Sequence, residues 1–157
     1  MHNRLRCVRS MKPNVKRVYP GAMIGKRLIF FSDRTGKNQI YTMKQDGSDV
    51  HRIAATESND NSASWSPDNT KIAFTSDRVG NSDIYVMDAN GRNVHRLTNT
   101  PATERAAAWS PDGRRLVFSS DGDGPSTIYT MNADGSHLRR LEPDAGPTCL
   151  PVGREGR

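Results

Sequence analysis

The chain has 157 residues, which sets an expectation of one domain. Its net charge is +6 and Leu, Ile, Val and Phe together number only 27, a balance that borders on the composition of disordered chains. No apolar run approaches the roughly 18–20 residues that cross a bilayer, and the two cysteines, Cys7 and Cys149, are too few for a disulfide framework or a zinc knuckle.

In chain order, residues 1–26 read as a basic leader that is expected to be disordered. The first 27 residues hold eight Lys or Arg and no acid, whereas the remainder is slightly acidic. A solvated charge run is the simple reading, and no nucleic-acid partner is expected without a basic stripe on the folded surface. The leader lacks the apolar segment of roughly 7–15 residues that marks a secretory signal. Cys7 follows Arg6 rather than a small residue, so a lipid anchor is not expected either.

From residue 27 the chain repeats itself with a period of 44. Phe30, Phe74 and Phe118 fall in register, as do Ser32, Ser76 and Ser120, and Met43, Met87 and Met131. Residues 27–70 match 71–114 at 18 of 44 positions, and 71–97 match 115–141 at 12 of 27. The units are therefore 27–70, 71–114 and 115–141, followed by an irregular tail over 142–157. Such self-similarity is the signature of a repeat architecture.

Within the middle unit the pattern predicts short strands near 62–66, 71–76, 83–88 and 93–98. The first two are separated by Ser66-Pro67-Asp68-Asn69, echoed by Ser110-Pro111-Asp112-Gly113, a sequence suited to a tight β-turn. The last two are separated by Asn90-Gly91, echoed by Asp46-Gly47 and Asp134-Gly135, the dipeptides of β-hairpins. Each unit is thus a four-stranded antiparallel meander. Ile72-Ala73-Phe74 and Ile84-Tyr85-Val86-Met87 put apolar or small residues on both faces, so each sheet must lie between others like it. The expected fold is all-β: a partial β-propeller of about three four-stranded blades. Closure is the difficulty, because three blades leave two apolar flanks open. The first expectation is a fragment of a six- to eight-bladed ring, and the second a head-to-tail dimer.

The order Trp65-Ser66-Pro67-Asp68, Ile72-Ala73-Phe74-Thr75-Ser76-Asp77-Arg78, Asp83-Ile84-Tyr85-Val86-Met87-Asp88 and Arg96-Leu97-Thr98 resembles the TolB-like β-propeller repeat, also called the WD40-like or PD40 repeat. The match runs over 27–141. It departs at the ends, and at Asn69 and Gly122, where the family pattern has Gly and Arg. True WD40 repeats fit less well, since no Trp-Asp pair ends a strand. The resemblance implies a periplasmic or other extracytoplasmic protein that works with Pal and the other Tol components. It equally implies an alternative, the gating propeller of a serine peptidase resembling prolyl oligopeptidase without its catalytic domain.

No catalytic residue is expected, because G-x-S-x-G, H-E-x-x-H and a phosphate-cradling glycine loop are all missing. His51 and His95 repeat in one outer-strand slot, as structural groups do, and neither a metal nor a cofactor is expected. Asp33, Asp77 and Asp121, with Arg34 and Arg78, are the candidate binding residues near one mouth of the channel. Their competing role is closing loops through carboxylate bonds to backbone N–H groups. Trp65, Trp109, Tyr41, Tyr85 and Tyr129, with Pro67, Pro111, Asp68 and Asp112, are expected to be structural. The leading functional expectation is a non-enzymatic module that binds a protein or peptide.

Overall fold

In a computed structural model, residues 18–24, 27–54, 56–124 and 127–141 are described. Among these described residues twelve strands form three antiparallel meanders. The first holds β1 (Val18–Ile24), β2 (Arg27–Ser32), β3 (Gln39–Lys44) and β4 (His51–Arg52). The second holds β5 (Asp60–Trp65), β6 (Lys71–Ser76), β7 (Asp83–Asp88) and β8 (His95–Arg96). The third holds β9 (Glu104–Trp109), β10 (Arg115–Ser120), β11 (Thr127–Asn132) and β12 (Arg139–Leu141). No helix among the described residues is long and apolar enough to cross a membrane.

The first sheet begins before residue 27, where the repeat places its boundary. β1 pairs with β2 from Val18 opposite Ser32 to Ile24 opposite Arg27, so part of the expected leader is an edge strand. Repeat identity vanishes over 17–26, but a ladder is carried by backbone N–H and C=O groups and needs no shared side chains. The rest of that leader, 1–17 and 25–26, and the tail over 142–157 lie outside the described residues.

The turns follow from their side chains. Ser66 and Asp68 knot the β5–β6 turn: Ser66 Oγ donates to Asp68 Oδ1 at 2.6 Å, and Asp68 Oδ1 accepts the Thr70 N–H at 3.1 Å. Ser110 and Asp112 repeat the first contact at 2.6 Å. Asn69 takes φ 63° where its counterpart Gly113 takes 70°, so Asn substitutes for Gly in a left-handed slot it tolerates. The β3–β4, β7–β8 and β11–β12 hairpins have three-residue loops. Gly91 N donates to Asp88 O at 2.8 Å and Asp88 N to Arg92 O at 2.9 Å, so only the glycine of the Asn-Gly pair needs positive φ.

Gly91 is fixed twice over. Its φ is +83°, and an added Cβ would stand 2.2 Å from the Ile53 carbonyl oxygen. Gly91→Ala should cost about 2–3 kcal/mol, read as a lower urea midpoint, because strain and a clash with backbone act together.

Packing confirms sheets that are apolar on both faces. Ile72, Phe74, Tyr85 and Met87 of the second sheet meet Ile29, Ile40 and Ala54 of the first. From its other face, Ala73, Ile84 and Val86 meet Ala107, Leu116, Phe118 and Met131 of the third. Beyond the third sheet nothing comparable follows among the described residues. Val117, Ile128 and Leu141 are 37%, 43% and 43% exposed, whereas Ala73 and Ile84, the register mates of the first two, are at 0%.

Candidate functional site

Each sheet-to-sheet seam carries a polar belt at the end where β2, β6 and β10 finish. At the first seam, Gln39 donates to the Ser58 carbonyl at 2.6 Å and accepts the Thr56 N–H at 3.1 Å. Thr56 Oγ1 donates to Asp60 Oδ2 at 2.8 Å. Arg78 then closes the belt: Nη2 donates to Asp60 Oδ1 at 3.1 Å and Nε to Ser76 Oγ at 2.9 Å. Its guanidinium lies 4.5 Å from the Tyr85 ring centroid and 5.3 Å from that of Phe74. Arg34 sits in the same way over Tyr41 and Phe30, at 4.3 and 5.5 Å. These are cation–π contacts with the charge partly withdrawn from water.

The five candidate binding residues all lie in the loops that follow β2, β6 and β10, but each is engaged locally. Asp77 accepts the Asn59 backbone N–H at 2.8 Å and its side-chain amide at 2.7 Å. Burial alone would push the Asp77 carboxyl up, yet these bonds and Lys37 hold it below the ordinary range. Asp121 accepts the Thr103 N–H at 2.7 Å, and that bond lowers it likewise. The Asp33 carbonyl accepts Gly36 N at 2.8 Å within its loop. Asp77 and Asp121 tie the connector entering a sheet to the loop within it, while Arg34 and Arg78 cover aromatic pairs.

At the second seam the register-equivalent groups differ. Glu104 replaces Asp60 and is 1% exposed. It accepts Thr100 Oγ1 at 2.6 Å and Thr98 Oγ1 at 3.2 Å, and Ser120 Oγ stands at 3.5 Å. Asp83 takes Arg96 at 2.7 Å. The residue in the register of Arg78 is Gly122, and no ion pair to Glu104 is present among the described residues. Burial first, and then the nearby Asp83 charge, raise the Glu104 carboxyl despite its threonine bonds.

A raised carboxyl favours the protonated folded form. Glu104 therefore costs stability as pH climbs from the ordinary glutamate range toward its folded value, and costs nothing below that range. Glu104→Gln should melt with the wild type near pH 4 and above it near pH 7. Equal melting temperatures at both values would show that Glu104 is not strained by its burial.

Two concavities stand out among the described residues. A groove of about 690 Å³ runs between the second and third sheets at the opposite end. Val86, Leu97, Trp109 and Pro67 line it, with Asp68, Asp112, Asp134, Lys71 and His95 among its polar residues. Trp109 is held by its Nε1, which donates to Ser64 O at 3.2 Å. Serine side chains hold Asp68, Asp112 and Asp134 below the ordinary carboxylate range. A second cavity, about 240 Å³, lies beside Glu104, Phe118, Gly122 and Tyr129. The departure at Gly122 is visible in the sequence but the cavity is not, because the group left behind, Glu104, is distant in the chain. Among the described residues no cluster of His, Cys, Asp and Glu has the makings of a metal centre.

The family model of the TolB beta propeller domain, PD40, matches residues 22–85 and 64–150. Among solved structures the chain is similar to a protein described as TolB from Agrobacterium tumefaciens, with 26% identity and TM-score 0.75, covering 82% of this chain and 50% of that one. It is also similar to TolB from Acinetobacter baumannii, with 28% identity and TM-score 0.69, covering 82% of this chain and 33% of that one. The chain thus spans half the length of the first and a third of the second. A puromycin hydrolase with 15% identity and TM-score 0.67, covering 82% of this chain and 22% of that one, shares the fold alone. No curated protein gives a match.

Proposed function

The chain belongs to the TolB β-propeller domain family, and from that premise we propose that it is a non-enzymatic module that captures an extended peptide segment of a protein partner. The groove between the second and third sheets carries this reading. Its apolar bed suits alternate side chains of a peptide, and its three aspartates outnumber Lys71 and an Arg96 already paired with Asp83, which favours a segment with basic flanks. We assign Asp33, Arg34, Asp77, Arg78 and Asp121 to fixing loops and covering aromatic pairs within each blade rather than to capture. The likeness to TolB supports an extracytoplasmic location and a partner of the Tol–Pal kind. On the same reading, the flank of Val117, Ile128 and Leu141 is covered by a further blade, as Ala73 and Ile84 are covered in the middle sheet.

The test is an array of extended peptides with apolar centres and either Lys or Glu flanks, probed with the full chain. Lys-flanked peptides should bind, and His95→Glu, on an exposed strand of the groove wall, should tighten them several-fold by adding a carboxylate. Binding that ignores the flank charge, or that is unmoved by this substitution, would remove the groove as the capture site.

A further inference from the structure

The blades are a template for one another, and the third lacks one part of it. In the second sheet a guanidinium is held by the stacked pair Phe74–Tyr85, by Ser76 Oγ and by Asp60. The third sheet keeps every surrounding group. Phe118 and Tyr129 stack at 5.8 Å and 20°, as Phe74 and Tyr85 do at 5.6 Å and 27°. Ser120 stands in the register of Ser76 and Glu104 in that of Asp60. The guanidinium itself is missing because Gly122 occupies its register, and a cavity of about 240 Å³ lies against these residues.

We propose that this cavity binds the side chain of an arginine presented by a peptide. The arginine would lie over Phe118 and Tyr129, donate to Ser120 Oγ and pair with Glu104, reproducing the contacts of Arg78. Charge agrees with that occupant. Glu104 is buried between the hydroxyls of Thr98 and Thr100 and the Asp83 carboxyl, and its own carboxyl is driven upward by burial and by Asp83, so a cation there relieves a standing cost. At the rim, Asp123 accepts the Tyr129 hydroxyl and lies 4.0 Å from Arg140. Arg140 stands in the register of Arg96, not of Arg78, so it does not substitute for the missing group. Guanidinium is preferred to ammonium because its plane stacks on both rings while its edge donates to two acceptors. The site is separate from the groove, so the failure of one reading leaves the other intact.

The experiment is amide NMR on the full chain titrated with three capped tripeptides, Gly-Arg-Gly, Gly-Lys-Gly and Gly-citrulline-Gly. The arginine peptide should give saturable shifts at Ala102, Ser120, Gly122 and Tyr129. The lysine peptide should bind several-fold more weakly, and citrulline, the same shape without charge, at least about tenfold more weakly. Gly122→Arg should close the cavity from within and abolish the shifts. Its Cβ meets Ala102 Cβ at 3.1 Å, a contact that a small movement relieves. Should that variant fold poorly, Glu104→Gln keeps acceptor and donor atoms for both threonines and should weaken the arginine peptide about tenfold. Equal binding of arginine and citrulline, shifts that map away from these four residues, or an unmoved affinity in Glu104→Gln would each overturn the proposal.

Discussion

Phe74→Ala should remove about 3–5 kcal/mol of stability, the typical cost of emptying a packed aromatic site. Few positions in the chain combine so many dependencies. The ring is fully buried, stacks on Tyr85, lies beneath the Arg78 guanidinium and packs with Ile29 and Ile40 across the first seam. A void here loosens two sheets, and the middle sheet is the one gripped from both sides. Folded domains hold only about 5–15 kcal/mol in all, so chemical denaturation should show a much lower midpoint or no cooperative transition. Val117→Ala on the exposed flank is the control. It should move the midpoint by no more than about 0.5 kcal/mol, because the residue is already more than a third exposed and fills no packed seam. Similar losses at the two positions would mean that the flank of this chain is already covered in solution, as the proposed further blade would cover it.

That contrast also marks what the sequence made readable. The repeat exposes the blades because turn chemistry and two-faced hydrophobicity recur together: Ser-Pro-Asp knots one turn, a Gly ends each hairpin loop, and Phe–Tyr pairs fill each seam. Three features escape such reading. The inner strands β5 and β9 each contain a bulge, with Ser62 at φ 50° and Ala106 at φ 56°. Neither residue type advertises a left-handed backbone, so the geometry there follows from tertiary packing. β1 escapes because ladder bonds leave no trace in side-chain identity. The arginines mislead in a third way. Polar residues after a strand suggest a wet channel mouth, yet Arg78 is aimed back across aromatic faces toward a fully buried Asp60. The partner is 18 positions away and in a different strand, a relation no local pattern contains.

Arg78→Met tests that relation most severely. Methionine retains much of the apolar contact with Phe74 and Tyr85, so the loss should come mainly from the charge. Asp60 would keep Thr56 but lose its cation while remaining out of water. Stranding a buried charge in this way costs about 3–5 kcal/mol, well above the value of an exposed ion pair. Asp60→Asn combined with Arg78→Met should recover part of the loss, since the double variant buries no charge. A double-mutant cycle by urea denaturation reads the coupling directly. The second seam supplies the opposite experiment, because the wild-type chain already has a buried acid there without a guanidinium. Gly122→Arg should therefore stabilise, by delivering to Glu104 what Arg78 delivers to Asp60, less the cost of easing Ala102 aside. Opposite signs at the two seams follow only if the belt is one repeated device that the third blade leaves unfinished. A loss in both variants would instead make the Asp60 pair a local accident of the middle blade.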